Sequence, residues 1–261
     1  MKRPALPPAG SMKAAVCAYA WGKGMDSMLS IARRGLSGLY PENTMPAFEK
    51  CLEFRPGAIE LDLQLSRDGQ TVIFHDVELK RTTGAEGFVK DLSFEELREL
   101  EPKNGFYVRN VRIPALDEYF ELVHDKDVLS FLQLQNSRVA YPGLEEKTLE
   151  CIDRYNMRDK VIICSSNHRS AMKFRAMAPD AEICFCFDDW ILDCGEYCRK
   201  NSVGMCIPCH TAVNREIIYD FHKHGVKVFP RTVDDPAEMR RLMDAGADGI
   251  LTSRPDILSR L

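Results

Sequence analysis

Residues 58–65 (AIELDLQL) alternate apolar and polar positions with period two, and residues 71–74 (TVIF) are β-branched and aromatic. Both patterns predict strands. Asp68-Gly69 between them is a hairpin signal, and so short a link requires an antiparallel pair. Centring the turn on that dipeptide puts Asp62 opposite His75, with Glu60 two residues away on the same face. Glu60, Asp62 and His75 are therefore candidate functional residues; the same pattern also suits the solvated face of an edge strand.

From Leu29 onward, β-rich runs alternate with amphipathic helical ones. Strands are predicted over 29–32, 58–65, 71–74, 128–134, 160–165, 181–187, 204–208, 226–230 and 249–252. Helices are predicted over 44–54, 143–155, 169–178, 215–223 and 236–245. Repeated strand-helix alternation implies a parallel sheet, and this many units imply a TIM (β/α)8 barrel. Nine strands exceed eight, and 71–74 is the one expected outside the barrel, because its tight hairpin cannot be a parallel crossover. Thr44, preceded by Asn43 and with Pro46 in the first turn, reads as a capped helix start. Residues 80–112 hold only a short helix over 93–100 and read as a small insertion over the barrel mouth. The chain then divides into an N-terminal extension, 1–28, and a barrel, 29–261. Within the extension, Met12 and the small-residue run Ala14 to Ala20 have the outline of a minimal signal peptide without a leucine core. A loosely packed extension is the simpler reading.

Composition narrows the function classes. At 261 residues, 45% of them hydrophobic and 28% charged, the chain suits one large α/β domain. A net charge of −4 gives no basic footprint for nucleic acid, and no apolar run reaches the length of a membrane span. The ten cysteines follow no disulfide framework, which points to a reducing, cytoplasmic compartment. Cys206-Ile207-Pro208-Cys209-His210 fits the c-type haem attachment pattern, but two thiols at a strand end beside an incidental histidine explain it more simply. Cys184 and Cys186 alternate on an apolar strand and read as small buried hydrophobes.

Several motifs in order resemble the glycerophosphodiester phosphodiesterase family, a phospholipase C-like TIM barrel. They are Ala32-Arg33-Arg34-Gly35, Pro41-Glu42-Asn43-Thr44, Glu60-Leu61-Asp62, His75-Asp76, Arg81-Thr82-Thr83, Ile113-Pro114-Ala115-Leu116, Ser165-Ser166-Asn167-His168 and Ala247 to Thr252. The resemblance spans nearly all of residues 29–257. It implies metal-dependent hydrolysis of a glycerophosphodiester to glycerol 3-phosphate and an alcohol. A divalent cation, calcium or magnesium, would be held by three acids, and two histidines would act as general acid and base. Hard oxygen ligands suit either cation. On this resemblance Glu60 and Asp62 match two of the metal acids, His75 the second catalytic histidine and Arg34 a phosphate-contacting arginine.

Other positions depart from the family. Arg33 stands where the first catalytic histidine is expected, and a guanidinium cannot cycle a proton. Gln133 stands for the third metal acid, Gln135 for a phosphate-facing lysine, Arg231 for a pocket tryptophan and Ser253 for an aspartate. Losing one acid-base group costs about 10²- to 10⁴-fold in rate. The leading expectation is a catalytically impaired member, or pseudoenzyme, that keeps a phosphoester-binding pocket. Its site would be metal-free, with Arg33 set against the two carboxylates in place of the cation. The alternative is an active phosphoric diester hydrolase using His75 and Arg33; a third reading uses only the barrel surface for interaction. His168 follows a strand and reads as structural, His210 adds nothing further, and His222 and His224 suit a helix C-terminus.

Overall fold

The computed structural model describes residues 28–103, 108, 110–189 and 191–261; the extension, apart from Met28, lies outside them. Eight parallel strands run in the order β8-β7-β6-β5-β4-β2-β1-β9. They are β1 (Leu29–Arg33), β2 (Ala58–Leu65), β4 (Leu129–Leu134), β5 (Val161–Ser165), β6 (Glu182–Phe187), β7 (Met205–Pro208), β8 (Lys227–Val228) and β9 (Gly249–Thr252). Backbone bonds from Asp248 N–H to Val228 O and from Leu251 N–H to Pro230 O, each 3.0 Å, bring β9 against the β8 edge. The result is a nearly closed eight-stranded barrel. β3 (Thr71–Ile73) pairs antiparallel with β2, off the barrel path.

The helices between the strands are α1 (Met45–Leu52), α2 (Lys80–Thr83), α3 (Phe94–Arg98), α4 (Leu116–Val123), α5 (Leu144–Arg154), α6 (His168–Met177), α7 (Cys194–Lys200), α8 (Arg215–Lys223), α9 (Pro236–Ala245) and α10 (Pro255–Leu258). Strand alternation sorts the core into two layers. Ile31, Leu129, Phe131, Ile162, Cys164, Cys184, Met205, Ile207, Phe229 and Leu251 fill the barrel interior. Phe131 and Phe229 meet there edge to face, 5.7 Å between ring centres. The alternate positions, such as Leu61, Leu63, Leu132, Ile163, Phe185 and Ile250, pack outward with apolar faces of the helices, including Phe48 and Phe174.

Three local expectations need correction. Thr44 does precede α1, but its hydroxyl donates to Pro41 O at 2.6 Å and does not cap the helix; Asn43 turns its amide elsewhere. The hairpin register is shifted by one residue from the prediction: Leu63 pairs with Ile73 and Leu65 with Thr71, so Ser66 and Gln70 close a three-residue loop in place of the expected two-residue turn. Gly69 takes the left-handed conformation there, φ 82°, as such loops require. The 80–112 segment holds α2 and a 3-10 turn at Val89–Asp91 besides α3. Val89, Leu97 and Ile113 pack with Val72, Phe74 and Leu79 in a separate small core, and the preceding stretch, Asp76 to Arg81, reaches the barrel mouth.

No helix among the described residues is long and apolar enough to cross a membrane. The nine described cysteines are free thiols, eight of them buried.

Candidate active site at the barrel mouth

A cavity of about 780 Å³ opens at the C-terminal ends of the strands, where side chains of a (β/α)8 barrel converge. It is lined by Arg33, which ends β1, by Gln133 and Gln135 at the end of β4, and by Ser166 and Asp188 just past β5 and β6. Arg231 follows β8, and His75, Asp76, Glu78 and Arg81 come from the segment after β3.

His75 is held by its neighbours on the chain. Gln64, fully buried on β2, donates from Nε2 to Phe74 O (2.7 Å) and to Asp76 O (2.8 Å), clamping the backbone on both sides of the histidine. Tyr141 in turn donates its hydroxyl to Gln64 Oε1 at 2.5 Å. The imidazole Nδ1 lies 2.6 Å from Asp76 Oδ1, and Arg81 donates to Asp76 from Nε at 2.5 Å and from Nη2 at 3.1 Å. Burial raises the Asp76 pKa, but Arg81 and His75 outweigh it and hold the carboxyl below its usual range. An imidazole that donates Nδ1–H to this carboxylate presents Nε2 as its other ring nitrogen.

The two acids lie deeper. β2 is in register with β1 and β4, so Glu60 pairs with Arg33 and Asp62 with Gln133, all facing inward. Glu60 and Asp62 are 2% and 1% exposed, and neither lines the cavity. Every oxygen of Asp62 is engaged. Oδ2 accepts the Asn43 amide at 2.8 Å and lies 2.8 Å from Arg34 Nε; Oδ1 accepts the Gln135 amide at 2.6 Å. Burial raises the Asp62 pKa, yet Arg34, His75, Arg33 and the Asn43 bond together hold it well below the carboxylate range. Among the described residues the Glu60 carboxylate accepts only the Arg34 backbone N–H, at 3.2 Å. Burial and the like charge of Asp62 push its pKa up, against the pull of Arg33 and Arg34.

The hairpin register explains part of this. Asp62 was expected opposite His75; it lies opposite Phe74, whose N–H donates to Asp62 O at 2.9 Å. The histidine therefore sits one residue further along than the turn centre predicts.

The two arginines are placed differently from the expectation. Arg34, predicted to contact phosphate, leaves the strand with φ 55° and folds back beneath the mouth. It bridges Asp62 and Glu42, donating from Nη1 to Glu42 Oε1 at 2.9 Å, and is absent from the cavity lining. Glu42 also takes both Arg81 amino groups, so the chain His75, Asp76, Arg81, Glu42, Arg34, Asp62 is one continuous polar network. Arg33, predicted against the two carboxylates, makes no ion pair with either among the described residues. It lines the cavity, and its buried Nε has no hydrogen-bond partner. Burial, then the nearby Arg34 charge, lowers its pKa.

The donor set does not fit the cation implied by the resemblance. Calcium takes six to eight oxygens and magnesium six. Here both Asp62 oxygens are committed, and Gln133 Oε1 accepts the Cys186 thiol at 3.0 Å. Among the described residues no group of three or more His, Cys, Asp or Glu side chains could hold a metal.

Of the remaining candidates, Ser253, His168, His210, Cys206 and Cys209 do not line the mouth, whereas Arg231 does. Arg231 pairs with Asp188 at 2.5 Å. Ser253 binds Asp234, its hydroxyl donating at 2.5 Å. His168 stacks on Phe185, 3.9 Å between ring centres, with Nδ1 3.0 Å from Tyr197 Oη and Nε2 3.1 Å from Cys186 O. His210 Nδ1 lies 3.2 Å from Arg231 O. Cys206 is fully buried and Cys209 contacts Thr211 at 3.1 Å, so the haem-like spacing builds no common site. Sequence reasoning missed Gln64, Asp76, Arg81, Arg138 and Asp188. Asp76 was legible as the neighbour of His75, whereas Arg138 and Asp188 were marked only by following predicted strands.

Comparison with known proteins agrees with this architecture. The model of the glycerophosphoryl diester phosphodiesterase family matches residues 34–257. A glycerophosphodiester phosphodiesterase of Caldanaerobacter subterraneus is 40% identical over 89% of this chain and 97% of its own. The fold superimposes on a crystal structure from Silicibacter pomeroyi with a TM-score of 0.88 at 21% identity, covering 94% of this chain and 96% of that one. A phosphodiesterase of Oleispira antarctica, solved with the product sn-glycerol-3-phosphate, gives 0.81 at 25% identity over 88% of this chain and 95% of its own. The chain belongs to the glycerophosphoryl diester phosphodiesterase family.

Proposed function

We propose that this family member binds a small phosphoester at the barrel mouth without a divalent cation, and that its hydrolysis of glycerophosphodiesters to glycerol 3-phosphate and an alcohol is impaired. The carrying observation is Arg33, which occupies the family's first-histidine position, lines the cavity and leaves its buried Nε without a partner. A guanidinium is built to receive phosphate oxygens and cannot relay protons. In the ordinary two-histidine scheme one group takes the proton of the attacking nucleophile and another returns a proton to the leaving alkoxide. Among the described residues lining the mouth His75 is the one imidazole, so the loss of its counterpart lowers the rate by about 10²- to 10⁴-fold. Gln133 and Gln135 add neutral amides where the resemblance expects charge. The related phosphodiesterase bound to sn-glycerol-3-phosphate supports a ligand of that chemistry at this mouth. The free cysteines support a reducing, cytoplasmic setting.

One arrangement favours the second reading, an active hydrolase. The His75–Asp76–Arg81 assembly is fully formed, and a single oriented imidazole beside a guanidinium could support catalysis by itself. The deciding measurement is release of glycerol 3-phosphate from a panel of glycerophosphodiesters, with calcium, magnesium or chelator, beside a His75→Ala control. Turnover no higher than the control supports the impaired, binding reading. Robust metal-dependent turnover lost in the control refutes it.

A further inference from the structure

The residues lining the mouth carry four guanidiniums, on Arg33, Arg81, Arg138 and Arg231, and three carboxylates, on Asp76, Glu78 and Asp188. Their commitments differ. Arg81 is tied to Asp76 and Glu42, and Arg231 to Asp188. Arg33 and Arg138 enter no ion pair among the described residues. They come from strands on either side of β2, Arg33 ending β1 and Arg138 following β4. Ser137, Ser166 and Gln133 also line the cavity.

From this arrangement we infer that the mouth selects a phosphomonoester dianion over a phosphodiester, with Arg33 and Arg138 as the selecting residues. The inference rests on the phosphoester-binding reading above and adds its ligand class. Its ground is a count of oxygens and charges. A guanidinium fork engages two oxygens at once, so two forks on one phosphate need at least three terminal oxygens, one of them shared. A phosphodiester has two terminal oxygens and one negative charge. A phosphomonoester has three, with close to two negative charges at pH 7. Two uncommitted guanidiniums therefore match the monoester in number of oxygens and in charge. A divalent cation would have supplied two positive charges to a diester site; Arg33 supplies one, together with directed donors. The cavity, about 780 Å³, has room for a polyol on the phosphate, the size range of small-ligand pockets.

The test is calorimetric titration of the full chain in EDTA with two matched pairs, methyl phosphate against dimethyl phosphate and sn-glycerol 3-phosphate against glycerophosphocholine. The monoester of each pair is expected to bind at least about tenfold more tightly, a difference of about 1.4 kcal/mol. Arg33→Met and Arg138→Met are each expected to weaken the monoester about tenfold or more while moving the diester by less than about threefold. Arg33→Lys, which keeps the charge and loses the fork, is expected to fall between wild type and Arg33→Met. Circular dichroism checks that each variant is folded, and the wild-type pair comparison stands even where one is not. Equal or tighter binding of the diesters, or monoester affinity indifferent to both folded variants, overturns the selection and leaves phosphoester binding in place. No binding of any of the four ligands overturns the binding reading and the inference with it.

Discussion

Replacing Arg34 by methionine tests whether this arginine is an internal counter-ion or, as the family resemblance implies, a phosphate ligand. Arg34 is 4% exposed and Asp62 1% exposed, and their contact is 2.8 Å. Methionine keeps most of the aliphatic volume but removes the charge. Glu42 retains Arg81 at 2.5 Å, so Asp62 is the group left without its ion-pair partner, bonded to the Asn43 and Gln135 amides and offset beyond them only by His75 and Arg33. Truncating one partner of a buried ion pair costs about 3–5 kcal/mol, against about 0–1 kcal/mol for an exposed pair. For a domain stable by about 5–15 kcal/mol, that is a large share. Urea denaturation at pH 7 followed by far-ultraviolet circular dichroism measures it. The double variant Arg34→Met/Asp62→Asn removes the stranded charge and should recover at least about 2 kcal/mol of the loss, a coupling well beyond the additivity of independent sites. A single-variant loss below about 1 kcal/mol, or strict additivity in the double, would refute the counter-ion assignment and return Arg34 to the phosphate.

Three further outcomes follow from other contacts. Burial holds the His168 pKa below its ordinary value, so between the folded pKa and about 6.5 the unfolded chain binds more protons and stability falls as pH drops; His168→Phe should flatten the urea-midpoint slope between pH 7 and 5, and identical slopes would contradict this. Gly35 sits at φ 77°, and an added Cβ would meet the Ala47 carbonyl carbon and oxygen at 2.6 Å. Gly35→Ala should therefore cost at least about 1–3 kcal/mol in the same denaturation assay, and a loss under about 0.5 kcal/mol would show that the turn relaxes freely. Arg81→Met should lower any His75-dependent release of glycerol 3-phosphate by about 10- to 100-fold through loss of the Asp76 anchor, with partial rescue in Arg81→Lys; unchanged turnover would remove Arg81 from the positioning of His75.

The barrel was legible because hydrophobic periodicity fixes which stretches are strands and the hairpin rule removes the ninth from the parallel set. Elements without a polar start signal were harder. α4 is preceded by Ala115, which offers no polar N-cap side chain, and its first turn is tied down instead by Glu118, which accepts the Ala115 N–H at 2.9 Å. α7 follows Asp193 in a left-handed conformation, φ 55°, which no periodicity announces. The hairpin register was ambiguous in principle, since Asp-Gly serves a two-residue turn or a three-residue turn with glycine last, and the choice moved His75 by one position.

The same limit decides the site. Glu60, Asp62, Arg33 and Arg34 do assemble, and their formal charges sum to zero. Strand alternation places Arg33 inward, in register with Glu60. It would turn Arg34 outward, away from both acids, and leave Arg33 as the cation facing them. What reverses the pairing is two consecutive left-handed residues at the strand end: Arg34 at φ 55° and Gly35 at φ 77° bend the chain so that the second guanidinium returns to Asp62. An L-residue in that conformation is uncommon, and the Asp62 and Glu42 contacts are what hold it there. With Asp62 neutralised from below, Arg33 is left facing the cavity. The uncommitted guanidinium at the mouth is thus a consequence of the backbone turn behind it, and removing the Arg34 ion pair should draw Arg33 toward Asp62 and weaken phosphoester binding even though Arg34 does not line the cavity.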